Sequence, residues 1–347
     1  MTAPTDWFVY QGVGVPHDRV DRLPPPPPWR DFDGGPVIED APPLGTESSR
    51  RLGTRGLHGI TWRPEQLELI NAALYLRRPL LVTGDPGSGK STLAHALAHE
   101  LGLGRVLHWP IVSRTTLGDG LYTYDAIARL QDMQMARTAG TEGDTYAEDL
   151  GDYLRLGPLG TALLPHTRPR VLLVDELDKS DIDLPNDLLN ALEEGEFGIA
   201  ELQRIARRRP EAEVLTDDGG RAVVREGRVR CRAFPIVVMT SNGERDFPAP
   251  LLRRCIHLDL PSPRDDEWGN ARLETMVRAH FGDAGLPAND ALIRSFLQSS
   301  PGSLRAADQL LNAIYLTQNT VRESESDRLR LAELLMRPLD QGGHGSR

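Results

Sequence analysis

The sequence predicts an α/β fold: a parallel sheet with helices on both faces, followed by a small all-helical domain. Three observations predict it. Short, continuously apolar stretches at 79–83, 171–174 and 234–239 read as strands buried on both faces, as parallel strands are. Helical periodicity alternates with them: Leu67, Ile70, Ala73 and Leu74 share a face within 63–76, and Leu188, Leu189 and Leu192 share one within 184–194. After Pro261 the strand patterns stop, and 264–281, 288–297, 304–316 and 327–335 all read as helices.

Residues 1–55 read as an irregular arm. Pro24-Pro25-Pro26-Pro27-Pro28 favours extended polyproline II and donates no backbone hydrogen bonds, and Asp33-Gly34-Gly35-Pro36 and Ala41-Pro42-Pro43 continue the pattern. Two readings stay open: a surface arm or linker, or a segment docked on a neighbouring subunit or partner through Trp7, Phe8, Tyr10 and Trp29. Residues 56–260 form the α/β domain. Its order is helix 63–76, strand 79–83, helix 91–101 ending at Gly102, strand 105–112, strand 169–174, helix 184–194, strand 234–239 and strand 255–260. Two stretches interrupt it. One, near 117–164, is rich in Gly, Asp and Tyr; the other, near 197–232, reads as a helix plus a hairpin turning at Asp217-Asp218-Gly219-Gly220. Residues 261–338 form the helical domain and 339–347 a tail.

Bulk properties exclude several classes. At 347 residues the chain is long enough for one large domain and a smaller one. A formal net charge of -10 argues against nucleic acid as the main substrate, because nucleic acid is met by basic surfaces. Cys231 and Cys255 are too far apart for a metal knuckle and read as reduced thiols. The first ten residues lack a basic n-region and an apolar h-region, and no apolar run approaches the roughly 18 residues of a membrane span. These features predict a soluble cytoplasmic protein without membrane insertion. Of 40 basic residues only Lys90 and Lys179 are lysines, so a motif that demands lysine is not matched here through abundance.

Gly84-Asp85-Pro86-Gly87-Ser88-Gly89-Lys90-Ser91, with Thr92 following, fits the phosphate-binding pattern G-x-x-x-x-G-K-[ST] between a predicted strand and a predicted helix. Glycines let backbone N–H groups turn inward around phosphates, and a helix N-terminus favours an anion. Lys90 is then expected to reach the β- and γ-phosphates of ATP, and Ser91 to ligate Mg²⁺. Eighty-five residues after Lys90, an apolar strand ends in Asp175-Glu176. Asp175 is expected to hold Mg²⁺ through water, and Glu176 to polarise the attacking water. Asn242 ends another strand and is expected to help position that water. The alternative is an Asn opening a turn before Gly243. Arg254, with Arg253 beside it, precedes the last strand and is expected to project toward the ATP site of a neighbouring subunit. Such a finger is worth roughly 10³ to 10⁵ in rate. Arg305 opens a helix in the second domain and is expected to fold back over the phosphates.

Taken together, these residues resemble the AAA+ ATPases over roughly 56–338, a P-loop NTPase fold. Gly84 to Ser91 resembles Walker A, Val171 to Glu176 Walker B, Asn242 sensor 1, Arg305 sensor 2, and Arg254 or Arg253 the arginine finger. Within that class the chain resembles the MoxR-like group. That resemblance rests on Gly157-Pro158-Leu159-Gly160, Asp175-Glu176-Leu177-Asp178-Lys179, Leu188-Leu189-Asn190-Ala191-Leu192-Glu193-Glu194 and the added hairpin. It implies a homo-oligomer, a hexameric ring with ATP at subunit boundaries. It also implies a chaperone-like remodelling role with a protein partner or client, often one carrying a von Willebrand factor A domain. The proline-rich arm departs from the family pattern. An ATP-controlled assembly switch in a signalling or defence complex uses the same residues and stays open beside it.

Overall fold

The computed structural model describes residues 5–39, 51–52, 60–138, 150–262, 267–283, 285–297, 306–319, 330–332 and 334–336. Helix α1 (Pro64–Leu76) leads into β1 (Leu80–Gly84), α2 (Lys90–Glu100) and β2 (Leu107–Pro110). A first excursion holds α3 (Leu117–Leu121), β3 (Tyr122–Tyr124), α4 (Ala126–Thr138), β4 (Leu154–Leu156) and α5 (Pro158–Ala162). The chain then forms β5 (Val171–Asp175) and α6 (Leu184–Glu194). A second excursion holds β6 (Glu196–Gly198), α7 (Ala200–Ile205), β7 (Glu211–Leu215), β8 (Arg221–Arg225) and β9 (Arg228–Arg230). Next come β10 (Ile236–Ser241), α8 (Ala249–Arg254) and β11 (Ile256–Leu260), and then the helices α9 (Glu267–Phe281), α10 (Gly285–Ala288), α11 (Asp290–Leu297) and α12 (Ala307–Asn319).

The main sheet runs β11-β1-β10-β5-β2 with every pair parallel. Its side chains alternate between two cores, as the strand period requires. Leu80, Val82, Val171, Leu173 and Val238 pack with Ile70 and Leu74 of α1 and Leu93 and Leu97 of α2. Leu81, Leu172, Val174, Val237 and Met239 pack on the other face with Leu159 of α5 and Leu188 and Leu192 of α6. Burial on both faces explains why these strands read as unbroken apolar runs. The register, Leu80 beside Val238 and Val238 beside Leu173, brings the carboxyl ends of β1, β10 and β5 to one edge. That edge is where open α/β sheets bind ligands. The lid beyond β11 has its own core, including Leu273, Val277, Ile293, Phe296, Leu310 and Ile314.

The two excursions meet in space. They join in one six-stranded sheet, β3-β4-β7-β8-β9-β6. The β7–β8 hairpin turns at 216–220 as the Asp-Asp-Gly-Gly signal predicts, with Thr216 N donating to Gly220 O at 3.0 Å. Its tip is fixed into the main body. Asp217 N donates to Thr161 Oγ1 at 2.9 Å, and Asp218 Oδ2 meets Arg170 Nη1 at 2.8 Å with both side chains buried.

The N-terminal segment has only short 3₁₀ turns over the described 5–39, yet it is packed against the main body. Phe8, Val9 and Tyr10 are buried in the chain's own core. Asn71 Oδ1 accepts from Val9 N and Tyr10 N at 2.7 and 2.9 Å, and Glu100 accepts from Gln11 N, Gly12 N and Gly14 N at 2.6 to 3.0 Å. Arg30, also buried, donates to Leu192 O at the end of α6. The backbone donors of an irregular segment are satisfied by polar side chains on helices, which substitutes for ladder bonding. Of the four expected anchors, Phe8 and Tyr10 are buried, while Trp7 and Trp29 are exposed at 39 % and 70 %. Among the described residues no helix is long and apolar enough to cross a membrane.

Candidate nucleotide site

The loop between β1 and α2 is set by two close approaches. Gly84 has φ 142°, and a Cβ there would fall 2.3 Å from Leu260 O on β11. Gly87 has φ 77°, and a Cβ there would fall 2.5 Å from Ala307 N at the start of α12. Both glycines are therefore required by space as well as by backbone conformation. α2 begins at Lys90 behind a left-handed Gly89, so the free N–H groups of its first turn open toward the loop. Lys90 is 7 % exposed, and its Nζ donates to Gly84 O at 2.6 Å and Asp85 O at 2.8 Å. Burial lowers its pKa, opposed by Asp85, Asp178, Asp175 and Glu176. A buried ammonium held by loop carbonyls, beside an open helix N-terminus, is built to receive an anion.

Across the edge, Asp175 ends β5 and gathers three donors. Ser91 Oγ and Thr240 Oγ1 each lie 2.7 Å from Oδ1, and His108 Nε2 lies 3.2 Å from Oδ2. Burial pushes the Asp175 carboxyl up, but hydrogen bonds from His108, Ser91 and Thr240 prevail and hold it well below the usual carboxylate range. An ionised carboxylate next to a serine hydroxyl is a hard oxygen donor set, and it fits Mg²⁺ at the mouth of a phosphate loop.

Glu176 follows in a left-handed conformation, φ 61° and ψ 48°, which costs a non-glycine residue on the order of 1–3 kcal/mol. Two bonds hold the chain there: Glu176 N donates to Thr240 Oγ1 at 2.8 Å, and Lys179 N donates to Glu176 O at 3.0 Å. The bend turns the Glu176 side chain out of the sheet to the cavity wall, where Lys179 Nζ meets Oε2 at 2.8 Å. Asn242 lies one residue past β10 and lines the same cavity. Its backbone N donates to buried Asp178 Oδ2 at 2.9 Å, as does Glu244 N at 3.0 Å, so the segment after β10 is pinned to the turn after β5.

Arg253 and Arg254 are the last two residues of α8 rather than a link between it and the strand, because the helix continues two residues past Leu252. Arg253 is exposed and its carbonyl accepts from Arg78. Arg254 is directed to Glu193 on α6, with Nε 2.5 Å from Oε1, and so makes an ion pair inside its own chain. Neither arginine lines the cavity. Arg305 lies outside the described residues; the first described residues after it, Ala306 and Ala307, approach Gly87.

The resulting cavity of about 370 Å³ is lined by Pro86, Gly87, Gly89, Lys90, Ser91 and Thr92 of the loop and by Asp175, Glu176, Thr240 and Asn242 of the strand ends. On the lid side α9 contributes Arg272, Thr275 and Met276. Asp85 and Ser88 belong to the loop turn itself, through Ser88 N donating to Asp85 O. The sequence did not single out Thr240, His108, Asp178 or Arg272 as site residues. Thr240 and Asp178 sit in the polar strand end and in the Asp-Glu-Leu-Asp-Lys run, which signal them; His108 and Arg272 carry no local signal. A phosphate-binding loop, an ionised carboxylate beside a hydroxyl and a second carboxylate at the rim together suit phosphoryl transfer to water.

Residues 79–255 match the family model of the AAA domain (dynein-related subfamily). No curated protein matches the chain. Among solved structures, NtrX from Brucella abortus in complex with ATP is similar at a TM-score of 0.38 and 15% identity, covering 80% of this chain and 57% of that one. PCH-2 from C. elegans is similar at a TM-score of 0.37 and 15% identity, covering 84% of this chain and 70% of that one. The chain thus spans little more than half the length of NtrX, and likenesses this distant carry no argument about function.

Proposed function

The chain belongs to the AAA domain family, dynein-related subfamily, and on that premise we propose that it hydrolyses ATP with Mg²⁺ at boundaries between copies of itself and uses the cycle to remodel a partner protein. The observation that carries this reading is the meeting of Ser91, Asp175 and Thr240 within 2.7 Å contacts at the floor of a cavity whose rim holds Glu176.

In this reading the loop 84–92 and Lys90 bind the phosphates, and Ser91 Oγ and Asp175 hold Mg²⁺, which supplies positive charge to the phosphoryl oxygens. Glu176 accepts the proton of the attacking water, and Asn242 orients that water. Arg305 reports nucleotide state to the lid. Arg254, or Arg253 beside it, leaves its own chain's contacts to reach the ATP of the next copy. We assign the chain to the MoxR-like group on Gly157 to Gly160 at the start of α5, on the run 175–179 and on the hairpin. With that assignment go a hexameric ring, a protein client or partner with a von Willebrand factor A domain, and a cytoplasmic setting. The same reading divides the chain into an arm to 55, a nucleotide-binding domain to 260, a lid to 338 and a tail.

One observation favours a second reading, an ATP-controlled assembly switch with slow turnover. The Arg254–Glu193 pair keeps the finger candidate on its own chain. A finger that must first be released suits a device that assembles on command.

Turnover measured against protein concentration, with mass in parallel, tests both readings. A shared site gives turnover that rises as oligomers form, an Arg254→Ala chain that assembles without activity, and a Glu176→Gln chain that binds ATP without turning it over. Undiminished turnover in Glu176→Gln removes Glu176 as the base. Assembly with slow turnover that no client accelerates selects the switch.

A further inference from the structure

Helix α9 brings a charged group to the cavity that the hydrolytic roles leave unused. Arg272 is 6 % exposed. Its Nη2 donates to Gln66 Oε1 at 3.1 Å, its Nε reaches Thr61 O at 3.5 Å, and its guanidinium lies 5.3 Å from the centre of the Trp62 ring. All three partners are neutral, and no described carboxylate pairs with it. Burial, and then the neighbouring Arg63 cation, lower its pKa to about 10. Gln66 cannot swing away to relieve it, because Gln66 Nε2 donates to Asp259 O at 2.9 Å and Oε1 also accepts from Arg63 N. A buried cation among neutral partners is costly, so a fold that fixes it against the wall of a cavity has a use for its free donors.

Its place on α9 says which end of a nucleotide it meets. Met276, one turn later on the same face, borders the phosphate loop: a Cβ on Gly89 would sit 3.9 Å from Met276 Cε. Arg272 lies one turn back from there, and the wall it shares includes Ile60, Trp62 and Leu260. The same cavity is also lined by Arg51, Thr275, His280 and Asp308, but Arg272 is the cation set beside this apolar and aromatic surface, a pairing that matches a nucleoside rather than a polyphosphate.

We infer that Arg272 is a specificity-determining residue of this site, donating to acceptor atoms of the bound nucleoside and not to the phosphates. The inference rests on the nucleotide-site reading above. A guanidinium has donors only, so it selects a face presenting ring nitrogens or carbonyl and ribose oxygens.

Calorimetric titration of ATP and of inorganic tripolyphosphate into the full chain, with Mg²⁺, tests it on wild type, Arg272→Gln, Arg272→Lys and Lys90→Ala. The expected result is that Arg272→Gln weakens ATP by about tenfold or more while tripolyphosphate stays within about twofold. Retained tripolyphosphate binding also shows that the variant has folded. Arg272→Lys, which keeps the charge without the planar fork, recovers only part of the ATP affinity. An equal loss for both ligands makes Arg272 a phosphate contact and overturns the inference, as does no loss for either. If wild type binds both ligands and Lys90→Ala binds neither while Arg272→Gln is unchanged, the site reading stands and the Arg272 inference alone falls. If wild type binds neither ligand, both fall.

Discussion

Thr240 Oγ1 lies 2.7 Å from Asp175 Oδ1 and accepts Glu176 N at 2.8 Å, so one hydroxyl on β10 fixes both carboxylates at the end of β5. It steadies the ionised oxygen of the first and holds the second in its left-handed bend.

Replacing that hydroxyl by a methyl keeps the shape and removes both bonds. Thr240→Val is expected to lower stability by about 1–3 kcal/mol, because a buried carboxylate oxygen and an amide lose a partner. Turnover should fall more than ATP affinity. Chemical denaturation and the split between kcat and KM read the two effects. A variant with wild-type kcat shows that Glu176 keeps its bend without Thr240.

The Lys179–Glu176 pair is partly exposed, at 39 % and 43 % for the two side chains, and such pairs are worth roughly 0–1 kcal/mol. Lys179→Ala is therefore expected to leave ATP affinity unchanged and to raise basal turnover by no more than about fivefold, by freeing the carboxylate. Lys179→Arg should restore the wild-type rate. A collapse of turnover in Lys179→Ala shows instead that the pair aims the carboxylate rather than restrains it.

Much of this arrangement was legible in the sequence. β1, β5 and β10 are unbroken apolar runs because both faces are buried, and each motif follows directly from a strand end. The Asp217 to Gly220 turn was legible because its residues bend a chain locally. The joining of the two excursions was not, since β4 and β7 meet through a single bridge, Arg155 beside Leu215, which leaves no periodic trace. Packing of the proline-rich segment was also hidden. Its proline content predicts irregular backbone, but its attachment comes from Asn71 and Glu100, two polar residues whose burial no hydrophobic pattern reveals. The place of Arg254 before a strand is visible in the sequence, but its Glu193 partner lies on a helix 61 residues earlier in the chain.

Glu100 is 1 % exposed and accepts three backbone amides of the N-terminal segment. Glu100→Gln replaces an acceptor by a group that also brings two donors, and is expected to cost about 2–4 kcal/mol. Limited proteolysis should then cut within 5–30 before any site in the main sheet. Unchanged cleavage means that the Asn71 contacts suffice.

His166 supplies a pH test. Burial, and then the Arg170 cation, lower its pKa to about 4 from an ordinary 6.5. Between those values the unfolded chain binds a proton that the folded chain does not, so this residue makes stability fall as pH drops through about 6.5 toward 4. His166→Gln is expected to shallow that slope in denaturation curves recorded across the window. An unchanged slope assigns the acid sensitivity to other groups.

The six-stranded sheet built from both excursions also bears on how such a chain diversifies. Deleting the first excursion would remove β3 and β4 from one end of this sheet and leave β7 as its edge strand, the kind of position that recruits other strands. A change to either insertion is therefore a change to the sheet of both, although β5 and α6 lie between them in the chain.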